Sequence, residues 1–231
     1  MAKLEWDAAG KRFYETGVSK GVLYVQNSSG AYPTGVAWNG LTNVTESPSG
    51  AEANAQYADD IKYLNLYSAE EFGCTIEAFT YPDEWEECDG SKYSGKVKFG
   101  QQGRKSFGFC YRTAVGNDID GSEHGYKIHM VYGAMASPSE KAYGTINDSP
   151  EPINFSWEVT TTPVNVDIEG FKPTSILTVD SRDFETTDDK NKLKALEDAL
   201  YGSQSTTAYL PAPEDVVSII TTGAPRGTTG N

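Results

Sequence analysis

The chain has 231 residues, and its 33 aspartates and glutamates outnumber its 19 lysines and arginines to give a formal net charge of -14. That balance excludes a protein that grips nucleic-acid phosphates by releasing counterions, and no apolar run of about 18 residues is present that could form a transmembrane helix. With 38% hydrophobic and 12% aromatic residues, 23 glycines and 11 prolines, the composition predicts a folded, turn-rich β protein rather than a disordered acidic chain.

Alternation of period two, which places every second side chain on one face of a strand, recurs along the chain. In residues 125–132, Ile128 and its apolar neighbours face one way, while Lys127 and His129 face the other. We expect that polar face to meet water or a partner. In chain order, strands are predicted at residues 21–25, 35–46, 56–67, 74–80, 106–112, 125–132, 154–160 and 174–180.

The second predicted strand, residues 35–46, contains Asn39-Gly40, which indicates a bulge or a bend. Residues 47–55 follow it and form a polar, turn-forming stretch that is too long for a tight hairpin. We expect a long flexible loop that projects from the domain. We also expect this loop and both termini to be disordered in the free monomer and to become ordered on assembly.

Helices are predicted mainly near the C-terminus. Residues 188–201 carry leucines at helical spacing, acidic residues in the first turn and Gly202 as a stop, and this helix is expected to dock on a sheet. Residues 82–88 begin with a proline and acids, as a short helix does. One or two further turns of helix are predicted at residues 213–220. Residues 224–231 lack periodicity and are expected to be mobile.

The pattern predicts one mainly β domain of the α+β class that spans residues 1–231. No repeat, linker or break in composition divides the chain. Glu5 and Asp7 stand where a secretory signal would have its apolar core, so we expect synthesis in the cytoplasm. The 3 cysteines form neither an even set nor a Cys-x-x-Cys pair, so buried free thiols are expected rather than disulfides or a zinc site.

The residues suited to catalysis or metal binding are few. The chain has 2 histidines, His124 and His129, and residues 117–123 resemble part of a calcium loop that lacks its bidentate glutamate. Residues 100–105 lack the ending of a phosphate-binding loop and predict a turn that presents two cations. The acidic run 83–89 predicts a solvated face or an electrostatic contact surface. We expect no enzyme, no cofactor and no metal site.

Aromatic strands and extended polar loops without evident catalytic chemistry suit an assembly protein. A long loop between two long strands can reach a neighbouring subunit, and aromatic strands at a sheet edge can pair across subunits.

Several long segments carry a resemblance to a known family. They are GVAWNGLTNVTESPSGAE at 35–52, YADDIKYLNL at 57–66, TIEAFTYPDE at 75–84 and YRTAVGND at 111–118, with shorter ones at 68–73, 136–141 and 147–151. These segments resemble the major tail protein family of long-tailed, non-contractile bacteriophages (siphophages). The resemblance covers most of residues 10–180 and is less distinctive beyond Gly202.

The resemblance implies a structural virion protein, a tail tube subunit. Six copies would form a ring, and rings would stack around a tape measure protein. The tube would conduct viral DNA from capsid to host without binding it specifically, and would meet the tail terminator and the distal tail and tip proteins. The expected location is the virion tail, assembled in the host cytoplasm without a membrane.

The resemblance also implies a sandwich-like sheet that contributes strands to a continuous inner β-barrel. Residues 36–46 and 56–67 are the candidates for that inner wall. Carboxylates in the bore would repel DNA phosphates, so that the genome slides without sticking. The candidates for lumen-facing acids are Glu46, Asp59 and Asp60, and those for the bridge between subunits or rings are Ser47, Pro48, Ser49, Gly50, Glu52 and Asn54.

Two other binding or assembly functions stay open at this stage. A carbohydrate- or receptor-binding β-sandwich module of the phage tail tip would use aromatics such as Trp38, Trp85 and Trp157. Exposed, clustered aromatics would favour it. A secretion-system tube protein shares the ring architecture but not the segments quoted above.

Overall fold

In a computed structural model, which describes residues 3–146 and 148–226, the chain is organised around one large antiparallel sheet. The strands are β1 (Tyr14–Val25), β2 (Gly35–Trp38), β3 (Leu41–Glu46), β4 (Ser49–Gly50), β5 (Ala53–Ala58), β6 (Ile61–Tyr67), β7 (Glu70–Glu71), β8 (Gly73–Ala78), β9 (Lys92–Ser94), β10 (Val97–Phe99), β11 (Phe107–Asn117), β12 (Gly121–Ala136), β13 (Phe155–Thr161) and β14 (Ile176–Asp180). The helices are α1 (Trp85–Cys88), α2 (Thr187–Tyr201) and α3 (Pro213–Thr222).

The strands of the large sheet follow the order β2-β1-β11-β12-β13-β8-β3. On the edge away from β11, the 16-residue strand β12 pairs with two strands in succession. Its residues 127–131 pair with β14, and its residues 134–136 pair with β13. The change of partner falls near Gly133, which has a φ of 59°. A Cβ atom there would lie 2.1 Å from the carbonyl oxygen of Thr162, so only glycine fits.

The sheet folds back on itself, so that β3 at one end lies against β1. Leu41 of β3 packs so closely on Gly21 of β1 that a Cβ at position 21 would lie 2.3 Å from Leu41 Cδ1. The space enclosed by the fold is filled by a buried aromatic cluster, in which the ring centroids of Trp38 and Trp157 lie 5.5 Å apart and those of Trp38 and Trp85 4.6 Å apart. Burial of such rings is a large source of stability.

The outer face of the sheet is covered by α2 and α3, which form a second core. Leu196 and Leu200 of α2 are fully buried there. The hydroxyl of Tyr24 on β1 donates a 2.6 Å hydrogen bond to the carbonyl oxygen of Leu200. Helix α2 begins with a capping box between Thr186 and Asp189. The mainly β, sandwich-like α+β fold and the docked C-terminal helix predicted from the sequence are therefore confirmed.

The predicted strands other than 56–67 are confirmed with shifted ends, and Asn39-Gly40 does separate β2 from β3. The expectation that the polar face of residues 125–132 meets water or a partner does not hold for His129, which is 8% exposed. Its side chain points into the fold because the sheet wraps over that face.

The prediction of a flexible loop at residues 47–55 is wrong. These residues form the ascending side of a β-hairpin, in which β4 pairs with β7 and β5 pairs with β6. The predicted strand 56–67 is correspondingly two strands, which turn at Asp59 and Asp60 with φ angles of 51° and 60°. Aspartate tolerates the left-handed region that such a two-residue turn requires. Residues 47–72 are called the arm below.

The expected mobile tail, residues 224–231, lies partly outside the described residues, since 227–231 are not described. At its start, the backbone N–H of Arg226 donates to Asp215, and its guanidinium group donates to Asp167.

The close contact between Gly133 and the carbonyl oxygen of Thr162 gives a test of the fold. We expect Gly133→Ala to lower the free energy of unfolding by about 2 kcal/mol or more, because alanine is strained at positive φ and its Cβ would strike the Thr162 carbonyl. Urea unfolding followed by tryptophan fluorescence measures this change.

The matched control is Gly144→Ala, whose Cβ would meet nothing within 4 Å, and which should change the stability by less than about 0.5 kcal/mol. Equal unfolding midpoints for the two variants would contradict the described change of partner in β12.

Candidate assembly surfaces

The arm has no hydrogen-bonded support beyond its base. Within the described residues, every hydrogen bond made by residues 51–69 joins them to one another. At the base, the N–H of Ser47 donates to the carbonyl oxygen of Gly73. The tip therefore projects from the domain as a two-stranded ribbon.

The arm presents apolar side chains to solvent on both of its faces. Leu64 and Leu66 lie on one face of the ribbon, because alternate residues of a strand share a face, and Tyr67 lies on the other. A lone hairpin is marginally stable in water, and a contiguous apolar surface of this kind marks an interaction site. The exposed fractions are Tyr57 73%, Ile61 63%, Tyr63 68%, Leu64 41%, Leu66 57% and Tyr67 68%.

The structure brings most of the predicted site residues together in the arm. The bridge candidates lie at its base and along its ascending side, where Asn54 pairs with Leu66. They are Ser47, Pro48, Ser49, Gly50, Glu52 and Asn54. Asp59 and Asp60 form the turn at the tip, far along the ribbon from Glu46 at the end of β3.

Glu46 belongs to a partly buried polar cluster, the His129 cluster, which consists of Glu15, Glu46, Tyr111 and His129. The two glutamate side chains are 37% and 42% exposed, whereas the imidazole is covered. The Tyr111 hydroxyl donates to Glu46 Oε1. His129 Nδ1 lies 3.6 Å from Glu46 Oε1, and His129 Nε2 lies 3.7 Å from Glu15 Oε1. The rings of Tyr111 and His129 are stacked with centroids 4.7 Å apart. The imidazole thus stands between a carboxylate of β1 and one of β3, next to the base of the arm.

Burial sets the protonation of this cluster. Burial lowers the pKa of His129 below its ordinary value, against the opposing pull of Glu46 and Glu15. Burial also raises the pKa of Tyr111, and the hydrogen bond to Glu46 adds to that rise. At neutral pH the imidazole and the phenol are therefore neutral.

A second surface lies around α1 and includes a hairpin that was not predicted from the sequence. This hairpin, residues 92–99, consists of β9, β10 and the turn between them, and is called the basic hairpin below. Lys98 Nζ lies 2.7 Å from Glu86 Oε1, and Arg104 lies 3.6 Å from Asp89. Lys105 pairs with Glu87. These pairs hold the segment that follows α1 against the helix.

The predicted solvated acidic face and the predicted pair of presented cations are therefore only partly right. Glu86 is 8% exposed, because Lys98 and the Tyr93 hydroxyl cover its carboxylate. Asp83 and Glu84 remain exposed at the start of the run. Both predicted cations, Arg104 and Lys105, form ion pairs, but the Lys105 side chain is also 55% exposed to solvent, as predicted.

The cysteines are buried and free, as expected. Burial raises the pKa of each thiol to about 12. In the part of the chain that the structure describes, no group of three or more His, Cys, Asp or Glu side chains could hold a metal ion. No described helix is long and apolar enough to cross a membrane.

No family model and no curated protein matches this chain. Among solved structures, it is similar to a chain of the 6-fold symmetrised cryo-EM structure of the anti-feeding prophage (AFP) baseplate, with 9% identity over 76% of this chain and 97% of that chain and a TM-score of 0.34. At that TM-score the likeness carries no argument about function.

The burial of His129 predicts a pH dependence of stability. Because its folded pKa lies below the ordinary value of about 6.5, the unfolded chain binds a proton more readily, and stability falls as the pH drops through that range. We expect His129→Gln to lose less unfolding free energy than the wild type between pH 7 and pH 5, as measured by urea unfolding. Identical losses in the two proteins would contradict this account of the cluster.

Proposed function

We propose that this chain is the major tail tube subunit of a siphophage, a structural virion protein that forms stacked hexameric rings. The observation that carries the proposal is the arm, a hairpin that is apolar on both faces and that its own chain leaves uncovered. The family resemblance of residues 10–180 supplies the type of assembly.

The arm needs a partner for a thermodynamic reason. Burying its tyrosines and leucines against another surface would gain roughly 25 cal/mol for each Å² removed from water. A two-stranded ribbon cannot bury both faces by itself. A second copy of the chain is the partner always present in an assembly of identical subunits, and the arm's length suits a bridge between neighbouring subunits or rings.

Open strand edges support ring formation. Among the described residues, β3 pairs only with β8, and β14 pairs only with β12. Edge strands of this kind carry unpaired backbone groups that another copy can satisfy. Head-to-tail pairing around a closed symmetry axis would pair the backbone groups of the edge strands in every copy, so that no edge strand stays unpaired in the ring. In this proposal β2 and β3, which span the predicted wall segment 36–46, contribute to the inner barrel.

The charge of the chain suits a conduit for DNA. A net charge of -14 allows a bore that repels phosphates, so that the DNA passes without specific binding. Asp59 and Asp60 at the arm tip stay candidates for this role. Glu46 is a weaker candidate, because its carboxylate is engaged by Tyr111. The further partners in the proposal are the tape measure protein, the tail terminator and the distal tail and tip proteins.

The alternative, a carbohydrate- or receptor-binding module of the tail tip, is not supported by the three tryptophans that the sequence suggested for it. Trp38, Trp85 and Trp157 are at most 3% exposed and form the core of the folded sheet. They are not available to stack on a sugar. Trp6 is 77% exposed but stands apart from this cluster.

Electron microscopy of the purified protein after concentration tests the proposal. We expect rings or tubes from the wild type and only monomers from Tyr63→Ser/Leu66→Ser, because the double variant removes apolar area that only assembly buries. The matched control, Phe171→Ser/Ile119→Ser, removes two side chains that are 70% and 67% exposed outside the arm and should assemble like the wild type.

Both double variants should show the circular dichroism of the folded wild type, since none of the four side chains belongs to a core cluster. Wild-type protein that stays monomeric at every concentration would overturn the proposed function.

A further inference from the structure

The arm carries a strong charge of its own as well as its apolar faces. It holds five acidic side chains and one lysine, a net charge of -4. Within residues 3–146 and 148–226, none of these charges has an ion-pair partner. A surface that receives the arm should therefore combine apolar side chains with unpaired cations. The acids are Glu52, Asp59, Asp60, Glu70 and Glu71.

The basic hairpin has this combination. The hairpin, residues 92–99, holds three lysines and no acid, and the segment that follows it adds Arg104 and Lys105, which makes five cations in a chain whose overall charge is -14. Three of the five are engaged by acids of α1 and its C-terminal cap, as described above, whereas Lys92 and Lys96 make no ion pair within the described residues. The hairpin also leaves three large side chains about half-exposed, with Tyr93 at 54%, Val97 at 58% and Phe99 at 50%.

The two faces of the basic hairpin differ. Tyr93 and Lys98 are cross-strand neighbours, and both bind Glu86, so their face is turned towards α1. Lys92 pairs with Phe99 across the strands, and Phe99 shares its face with Val97. That outward face offers apolar contacts together with Lys92, which also reaches the groove beside α1, and Lys96 lies in the turn at the end of the hairpin. The exposed acids Asp83 and Glu84 line the groove between α1 and the hairpin.

The two hairpins do not meet within one chain. No hydrogen bond or ion pair of the described residues joins residues 51–69 to residues 91–105. We propose that the arm of one copy docks on the outward face of the basic hairpin of a second copy. Glu52 and Glu70 of the arm face Lys92 and Lys96, and the arm's tyrosines and leucines cover Val97 and Phe99, which leaves Asp59 and Asp60 at the tip outside the contact. This inference rests on the proposed function, because it names the surface that receives the arm in the assembly.

The contact would be heterologous, since the surface that is donated differs from the surface that receives it. Each copy would then give one arm and accept another, which lets the contact propagate around a ring or from one ring to the next. Opposite charges on the two surfaces also orient the encounter at short range, against the overall repulsion between two chains that each carry a net charge of -14.

Zero-length carbodiimide coupling locates the contact directly. The reagent joins a carboxylate to a lysine amine only where the two touch, and mixing ¹⁵N-labelled with unlabelled wild-type protein before assembly distinguishes links between copies. We expect mass spectrometry to find mixed-label peptides that join residues 47–72 to residues 91–99. Arms linked only to other surfaces of the partner would overturn the inference.

Charge reversal tests the same contact by function. We expect Lys92→Glu/Lys96→Glu to lower the assembled fraction at least about tenfold through like-charge repulsion, and Glu52→Lys/Glu70→Lys to do the same from the side of the arm. Combining the four changes should restore assembly. Lys92→Arg/Lys96→Arg should assemble normally but lose the coupled peptides, because arginine keeps the charge and does not react.

The matched control is Lys172→Glu/Lys190→Glu, which makes the same charge change at two exposed lysines away from both hairpins and should assemble like the wild type. Normal assembly of Lys92→Glu/Lys96→Glu, or a combined variant no better than its parents, would overturn the docking while leaving the tube proposal standing. A wild type that forms no assembly would overturn both.

Discussion

The uncovered arm is the constraint on which the account of this protein depends. In the body of the domain, α2 and α3 cover one face of the large sheet, and the sheet's own fold covers the other. The arm has neither kind of cover, and six of its large side chains are at least 41% exposed. The chain builds two complete cores and yet leaves this apolar ribbon in water. The apolar area of the ribbon can be buried only by a partner.

The contrast between the packed domain and the protruding arm links the fold to the proposed assembly. The aromatic core around Trp38 and the helix core around Leu200 make the domain a rigid platform without help from other copies. The arm begins where β3 ends, beside the His129 cluster, so its root is held by the same packed sheet. A rigid platform with a protruding ribbon can transfer contacts from one subunit to the next without rearranging its core.

Much of the fold could be predicted from the sequence because alternation and capping are local. The strands around Phe109, Ile128 and Trp157 and the helix that ends at Gly202 all carry such local patterns. The arm could not be predicted as a hairpin, because Asp59-Asp60 is not one of the common hairpin-turn pairs. The alternation of apolar residues along the arm is also that of a buried strand. The basic hairpin has strands of only three residues each, although Gly95 marks its turn. The burial of His129 depends on long-range wrapping of the sheet, which no local pattern contains.

Hydrogen exchange of the arm in the free and assembled protein tests the central claim most directly. The backbone amides of residues 53–67 depend on a two-stranded ribbon in the monomer, and local opening of such a ribbon costs little free energy. The account predicts rapid exchange of these amides in the monomer, strong protection in the assembly, and unchanged protection of β11 and β12. Equal protection of the arm in both states would contradict the claim that a second copy completes it.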